Sequence, residues 1–226
     1  MGSPIFKNNL LKTDDVMVAR MRTAGAIIIG KTNTPEFGLG SHTFNPVHGA
    51  TGNAYDATRS AGGSSGGAAV ALATGMMRYA DGSDMMGSLR NPAGWNNVYG
   101  MRPTWGLVPS EPLGDSFLHQ LATNGPMARC PKDLATLLSV QSGGDARQPH
   151  GLPTANFAKD MDAHGLKGAK IAWLGDWGLP FDDGIMDIAE RAVEDLSALG
   201  ADVTVIDAPF SMEALWESWI TLRSWM

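Results

Sequence analysis

Two serine–glycine runs hold the groups in this chain that could do chemistry: Gly62-Gly-Ser-Ser-Gly-Gly67, and the stretch from Gly82 to Arg90 that contains Ser83, Asp84 and Ser88. Each run offers hydroxyls together with several backbone N–H groups, and an acyl-transfer site needs such amides for its oxyanion. A helix starting at Gly66 would add partial positive charge beside Ser64 and Ser65. One run of this kind makes an ordinary turn. Two of them, separated by one short helix and one short strand, can converge. On composition alone, turns and a reactive site are both open.

Other patterns carry less. Gly25-Ala-Ile-Ile-Ile-Gly30-Lys31-Thr32 fits the phosphate-loop spelling, but its variable positions form an apolar strand rather than a turn of amides, and Pro35 interrupts the helix that should follow. Gly62-Gly-Ser64-Ser-Gly66 resembles a nucleophile elbow, yet the hydrophobic strand an elbow needs is replaced by the polar Ala57-Thr-Arg-Ser-Ala61. His42, His48, His119, His150 and His164 are scattered, without the spacing of a triad or a metal site. The single cysteine, Cys130, excludes an internal disulfide framework and leaves no Cys/His cluster for zinc.

The elements that would position the serines alternate between helix and strand. Thr13 can cap a helix from Asp14 to Ala24, with Met17, Met21 and Ala24 on one stripe and Gly25 closing it. Ala26–Ile29 reads as a buried strand, and Thr34-Pro35-Glu36-Phe37 as a short helix start. A long Gly/Asn/Thr loop fills 38–63, and a loop of that length is usually functional. An alanine-rich helix spans Gly66 to Met76, a short strand Arg78 to Ala80, and loops dominate 81–115. Pro131 opens a helix through Val140. Lys170–Leu174 and Val203–Ile206 read as strands around a helix from Gly184 to Leu199, and Met212–Met226 is helical. The pattern predicts an α/β fold with a mainly parallel or mixed sheet flanked by helices.

The residues Gly62 to Ala73 and Gly82 to Ala93 resemble the amidase signature, a long pattern of the form GGSSGG…GSDxGGSxRxPA. Ser64 and Ser88 stand 24 positions apart, the separation that the family shows between its relay serine and its nucleophile. Met17–Phe37, Val98–Thr104 and Gly125–Leu138 are similar to flanking family segments, so the resemblance covers most of the chain. It implies an amidase-signature fold, present here as a single partial domain with a signature core over about 17–140 and a second α/β segment over about 166–226. It implies hydrolysis of a carbon–nitrogen amide, or a related carbamate or ester, by a Ser–cis-Ser–Lys mechanism. Ser88 would be the acylated nucleophile. Ser64, after a cis bond from Gly63, would relay the proton. The amides of Met85, Met86, Gly87 and Ser88 would form the oxyanion hole, and Ser65, Asp84 and Arg90 would hold the loops. Met86 departs from the family's glycine and, carrying a Cβ, would distort the hole if a positive φ were needed there.

The relay must end on a neutral lysine, whose amine burial has to push below its ordinary value of about 10.4. The family carries it in a G-x-P-x-x-x-K-D strand ahead of the relay serine. Lys7 follows Pro4 at a spacing one residue short, with Asn8 where aspartate is expected. The Gly2–Phe6 stretch is more similar to the segment that follows the lysine region. The lysine is therefore expected upstream of Met1, and the chain is expected to be an internal piece whose C-terminal completion is also missing, with its own activity impaired and its tryptophan-bearing last helix in want of a partner surface.

The net charge of −6 offers no basic footprint for nucleic acid or an anionic membrane surface, and no apolar run reaches the roughly 18 residues of a membrane span. The expected partner is a small-molecule amide, with a homo-oligomer possible, no cofactor, no metal and a cytoplasmic location. Trp95, Trp105, Phe117 and Leu118 could line an apolar pocket or pack a core. Two other readings stay open: the A-type subunit of an amidotransferase, and a truncated relative that binds without turnover.

Overall fold

Asp15, extended and accepting the Met17 amide on its carboxylate at 3.0 Å, opens α1 (Val16–Thr23). It displaces Thr13 as the cap, and the helix starts two residues later than the sequence suggests, because the cap residue must be non-helical. Met17 and Met21 are buried as one stripe. In this computed structural model the described residues are 1–111, 117, 120–159, 161 and 165–225. Leu118, His119, His164 and Met226 lie outside them. The chain divides into two compact units, Met1–Met161 and Asp162–Met226.

In the first unit, 38–63 is chiefly loop, braced by a small antiparallel pair, β1 (Phe44–Asn45) and β2 (Gly49–Ala50). Then come α2 (Gly66–Ala73), β3 (Tyr79–Asp84), α3 (Arg90–Trp95), β4 (Tyr99–Gly100), β5 (Thr123–Ala128) and α4 (Pro131–Gln141). The antiparallel sheet runs β3-β5-β4, with Gly82 opposite Gly125 and Tyr99 opposite Ala128. The central strand β5 is absent from the sequence expectations. Its Gly125-Pro126 pair reads as a turn, and proline is rare inside a sheet. Here Pro126 still accepts on its carbonyl, from Met101 at 3.2 Å. The strand expected over Arg78–Ala80 runs on through Asp84, inside the stretch expected to be loop.

Ala26–Ile29 takes up no regular secondary structure, no strand among the described residues pairs with it, and Ile27 and Ile29 are 88% and 69% exposed. The expectation of a buried strand is corrected there. The residues have the right character, but a strand needs a neighbour to bond its backbone. The same stretch makes no phosphate-binding turn.

One core cluster joins Ala68, Ala69 and Leu72 of α2 to Ala80, Leu89, Ala93 and Met127. Complete burial of a leucine such as Leu72 or Leu89 contributes about 1.5–3 kcal/mol. A second cluster packs Met17 and Met21 of α1 on Leu137 and Leu138 of α4. Arg20 fastens that pair: its guanidinium donates to the carbonyls of Gln141, Ser142, Gly143 and Gly144 at 2.7–3.1 Å. Those carbonyls, at and just past the end of α4, include helix-terminal acceptors with no partner inside the helix.

The second unit pairs β6 (Lys170–Trp173) with β7 (Asp202–Val205) in parallel, connected through α5 (Ile185–Ala198). Gly200, at φ 97°, lets the chain leave α5 and enter β7. α6 (Met212–Trp225) follows, with Trp216 and Trp225 exposed. Together the elements make the mixed α/β arrangement that the sequence predicts.

Candidate active site

Thr43 organises the first serine loop. Its hydroxyl donates to the Gly62 carbonyl at 2.8 Å and accepts the Gly66 amide at 3.0 Å, all buried. The Gly63–Ser64 peptide is cis. Gly63 leaves no space for a side chain, because a Cβ there would lie 2.8–3.0 Å from the backbone of Ser41 and His42. Ser64 and Ser65 are 4% and 5% exposed, at the entrance to α2.

The second loop is built around Asp84. This carboxylate is wholly buried and accepts the amides of Gly87, Leu89 and Arg90 at 2.7, 3.1 and 3.3 Å. The Arg90 guanidinium adds two further bonds at 3.0 and 3.1 Å. Arg102 stands 3.6 Å from the same carboxylate and donates to the Leu121 carbonyl. Burial pushes the Asp84 carboxyl up, but the Arg90 hydrogen bonds, the Gly87 and Leu89 amides and the Arg90 charge outweigh it. The group rests below the ordinary carboxylate range.

Three glycines seat the residue after Ser88. Leu89 is fully buried, and a Cβ on Gly82 or Gly125 would stand 2.8 or 2.9 Å from its methyls. A Cβ on Gly100 would meet its carbonyl at 2.6 Å. The cross-strand Gly82–Gly125 pair is thus a hollow for Leu89. The two loops then meet directly, the Ser65 amide donating to the Ser88 carbonyl at 3.2 Å. The Ser65 hydroxyl lies 3.3 Å from the Ser83 amide, which donates to it.

The structure therefore brings Ser65, Asp84, Gly87, Ser88 and Arg90 into one constellation with Ser64 adjacent to it through Ser65, while among the described residues no hydrogen bond joins the Ser64 and Ser88 hydroxyls. The Gly87 amide, expected in the oxyanion set, is engaged by Asp84 instead. Among the described residues, no hydrogen bond occupies the amides of Met85, Met86 and Ser88. The positive φ falls on Gly87, at 116°, and not on Met86, so the methionine fits without distortion. Met86 is 54% exposed beside the nucleophile candidate.

Sequence reasoning missed the polar residues that hold this frame. Besides Thr43, fully buried Asn96 donates to the Ala61 and Pro92 carbonyls and accepts the Ala54 amide. Asn45 accepts the Val47 and His48 amides and donates to Asn33. Their signal, threonine and asparagine within a long loop, does not distinguish a hub from a turn. Trp95 lies beside the site, near Gly62 and with its ring 6.1 Å from that of His42. Trp105 and Phe117 instead gather around His150. His42 bonds the Ser60 hydroxyl at 2.7 Å. Lys7 is exposed, just past the single turn Pro4–Phe6, and no hydrogen bond among the described residues joins it to either serine. Nor do the described residues hold a cluster of His, Cys, Asp or Glu fit for a metal. No helix among them is long and apolar enough to cross a membrane.

Comparison with known proteins gives the same picture. The model of the Amidase family matches residues 1–225. The chain is 39% identical over 212 residues to the A-type subunit of the glutamyl-tRNA(Gln) amidotransferase of Alkaliphilus metalliredigens, covering 89% of this chain and 42% of that protein. It is 35% identical over 226 residues to an indoleacetamide hydrolase of Bradyrhizobium japonicum, covering 96% and 47%. Among solved structures, a bacterial aryl acylamidase of the amidase signature family superposes with a TM-score of 0.85 at 32% identity, over 93% of this chain and 44% of that one. The A-type glutamyl-tRNA(Gln) amidotransferase chain from Thermotoga maritima gives 0.84 at 33%, over 92% and 46%. The chain spans less than half the length of these relatives.

Proposed function

The chain belongs to the amidase family, and on that premise we propose that it carries the nucleophile half of an amide-hydrolysing site, with Ser88 as the acylated residue. The Ser88 hydroxyl adds to the carbonyl carbon of a small-molecule amide. Its proton passes to the Ser64 hydroxyl, whose own proton moves to a lysine amine. We place that lysine in polypeptide outside these 226 residues, because Lys7 sits exposed on a turn. The developing oxyanion is met by the amides of Met85, Met86 and Ser88. Collapse expels the amine with a proton returned through the relay, and water then hydrolyses the Ser88 ester.

The observation that carries this reading is the junction of the two serine loops, where the Ser65 amide donates to the Ser88 carbonyl at 3.2 Å. That bond ties the loops together on a frame that the buried Asp84 carboxylate holds. The acidic balance of the chain, −6 overall, favours a small amide over a tRNA-bound substrate.

An activated aryl ester tests the assignment, since its good leaving group lessens the need for a base. After incubation, peptide mapping by mass spectrometry should find the acyl group on Ser88 and lose it in Ser88→Ala. Labelling of other serines with Ser88 untouched would defeat the proposal.

A further inference from the structure

Asn91, in the first turn of α3, carries a side-chain amide that the frame of the site does not use. Its backbone N–H donates to the Gly87 carbonyl at 2.7 Å, and its side chain lies against Gly87 itself. A Cβ on Gly87 would stand 2.6 Å from Nδ2 and 2.8 Å from Oδ1 of Asn91. Gly87 is therefore engaged twice. Its N–H turns to Asp84 at 2.7 Å, and its Cα is covered by the Asn91 amide. Among the described residues that amide makes no hydrogen bond, and Asn91 is exposed. Asparagine near a helix start ordinarily bonds its side chain to a nearby backbone group. Here both the NH2 donors and the carbonyl acceptor stay open, on the residue next to Ser88. The signature pattern fixes Arg90 and Pro92 and leaves position 91 open, so the residue there can differ without disturbing the frame.

We propose that Asn91 is a specificity-determining residue that reads a second amide group on the acyl side of the substrate. The inference rests on Ser88 as the nucleophile. In that reaction the leaving amine takes its proton through Ser64, so it departs toward the first serine loop. The acyl remainder, bonded to Ser88, is left against the second loop, where Gly87 and Asn91 lie. A carboxamide matches the Asn91 side chain in kind. Its carbonyl accepts from Nδ2 while its N–H donates to Oδ1, and the two bonds form side by side. A carboxylate offers no donor, an ammonium no acceptor and an alkyl chain neither, so each leaves part of the Asn91 amide unmatched. Because Asn91 is exposed, water competes with the substrate and each neutral hydrogen bond contributes only its small net value. Two of them set a preference of about 10- to 30-fold over an alkyl chain of equal shape. The favoured substrates are small amides that carry a second amide a short chain away on the acyl side.

The test measures acylation of Ser88 in the whole chain by p-nitrophenyl esters. The step forms the bond from Ser88 Oγ to the acyl carbon and breaks the carbon–oxygen bond to p-nitrophenolate. The phenolate leaves with the electron pair, and the hydroxyl proton passes to water. N-acetyl-β-alanyl and N-acetyl-γ-aminobutyryl esters carry the second amide. Alkanoyl esters of the same branched shape lack it, and the acetyl ester has no chain. Each rate is divided by that of the same ester in buffer. At least one amide-bearing ester should acylate Ser88 about 10- to 30-fold faster than its alkanoyl counterpart. Asn91→Leu should remove that preference and leave the acetyl rate and the urea midpoint unchanged, since the side chain has no bond to a described residue to lose. Asn91→Asp has acceptors only and adds a charge, so it should exchange the preference for one toward a γ-trimethylammoniobutyryl ester. No preference in the parent, a preference that survives Asn91→Leu, an aspartate variant of unaltered selectivity, or an Asn91→Leu protein slowed as much with the acetyl ester would each overturn the proposal. Failure of every ester to label Ser88 overturns the nucleophile assignment and this proposal with it, whereas labelling of Ser88 without preference overturns this proposal alone.

Discussion

Replacing Asp84 by asparagine probes whether one buried carboxylate holds the reactive loop. The carboxylate accepts five bonds: Gly87 and one Arg90 nitrogen on Oδ1, and Leu89, the Arg90 amide and Arg90 Nε on Oδ2. Asparagine keeps one accepting oxygen and presents an NH2 group to the remaining donors. In one orientation the Gly87 amide loses its acceptor; in the other, the Leu89 and Arg90 amides do. Each buried donor left unsatisfied costs about 1–3 kcal/mol. The Arg90 side chain is 54% exposed, so water takes over its guanidinium, and the larger penalty of about 3–5 kcal/mol for breaking a buried ion pair does not apply in full. The expected loss is about 2–4 kcal/mol, which at a urea dependence of about 1–3 kcal/mol per molar lowers the midpoint by roughly 1 M or more. Exchange at the Leu89 and Arg90 amides reports on this loop and not on the second unit. The sign with pH follows from the depressed carboxyl. Its contribution is complete above the unfolded value of about 3.9 and is lost as the pH falls through the lower folded value. The gap between wild type and variant should therefore be constant near neutrality and close in acid. A variant within about 0.5 kcal/mol of wild type at pH 7, or a gap undiminished in acid, would refute the reasoning.

Three further outcomes follow from the same geometry. Ser88→Ala should abolish ester labelling while leaving the urea midpoint unchanged, and Lys7→Ala should alter neither; a labelled Ser88→Ala protein would reassign the nucleophile. Thr43→Val strands the buried Gly62 carbonyl and Gly66 amide and should destabilise by about 1–3 kcal/mol, with Thr43→Ser close to wild type; equal midpoints for valine and serine would show that the hydroxyl does not hold the loop. Gly82→Ala would place a methyl 2.5 Å from the Ser65 hydroxyl and 2.8 Å from Leu89, so it should cost about 1–3 kcal/mol by overpacking and slow Ser88 labelling, measured by denaturation and by labelling rate.

The sequence by itself determined the two serine loops, the helices other than α3 (Arg90–Trp95), which falls in a stretch read as loop, and the parallel pair in the second unit. Those depend on local rules: proline at the start of α4, glycine after α5, alternation of helix and strand patterns. The long Ser–Gly pattern also singled out Ser64 and Ser88, because so many positions must match at once. Tertiary structure alone decided the rest. β5 hid behind Gly125-Pro126, since its glycine exists to seat Leu89 from another segment and not to make a turn. Thr43, Asn45, Asn96 and Arg102 matter through partners remote along the chain, and composition cannot show which polar loop residue finds a buried acceptor. The Gly87 amide was committed by Asp84, a choice that only the folded loop makes. Ala26–Ile29 carries the residues of a buried strand, yet stands exposed here, because a strand is a property of a pair of segments, whereas a sequence pattern describes only one.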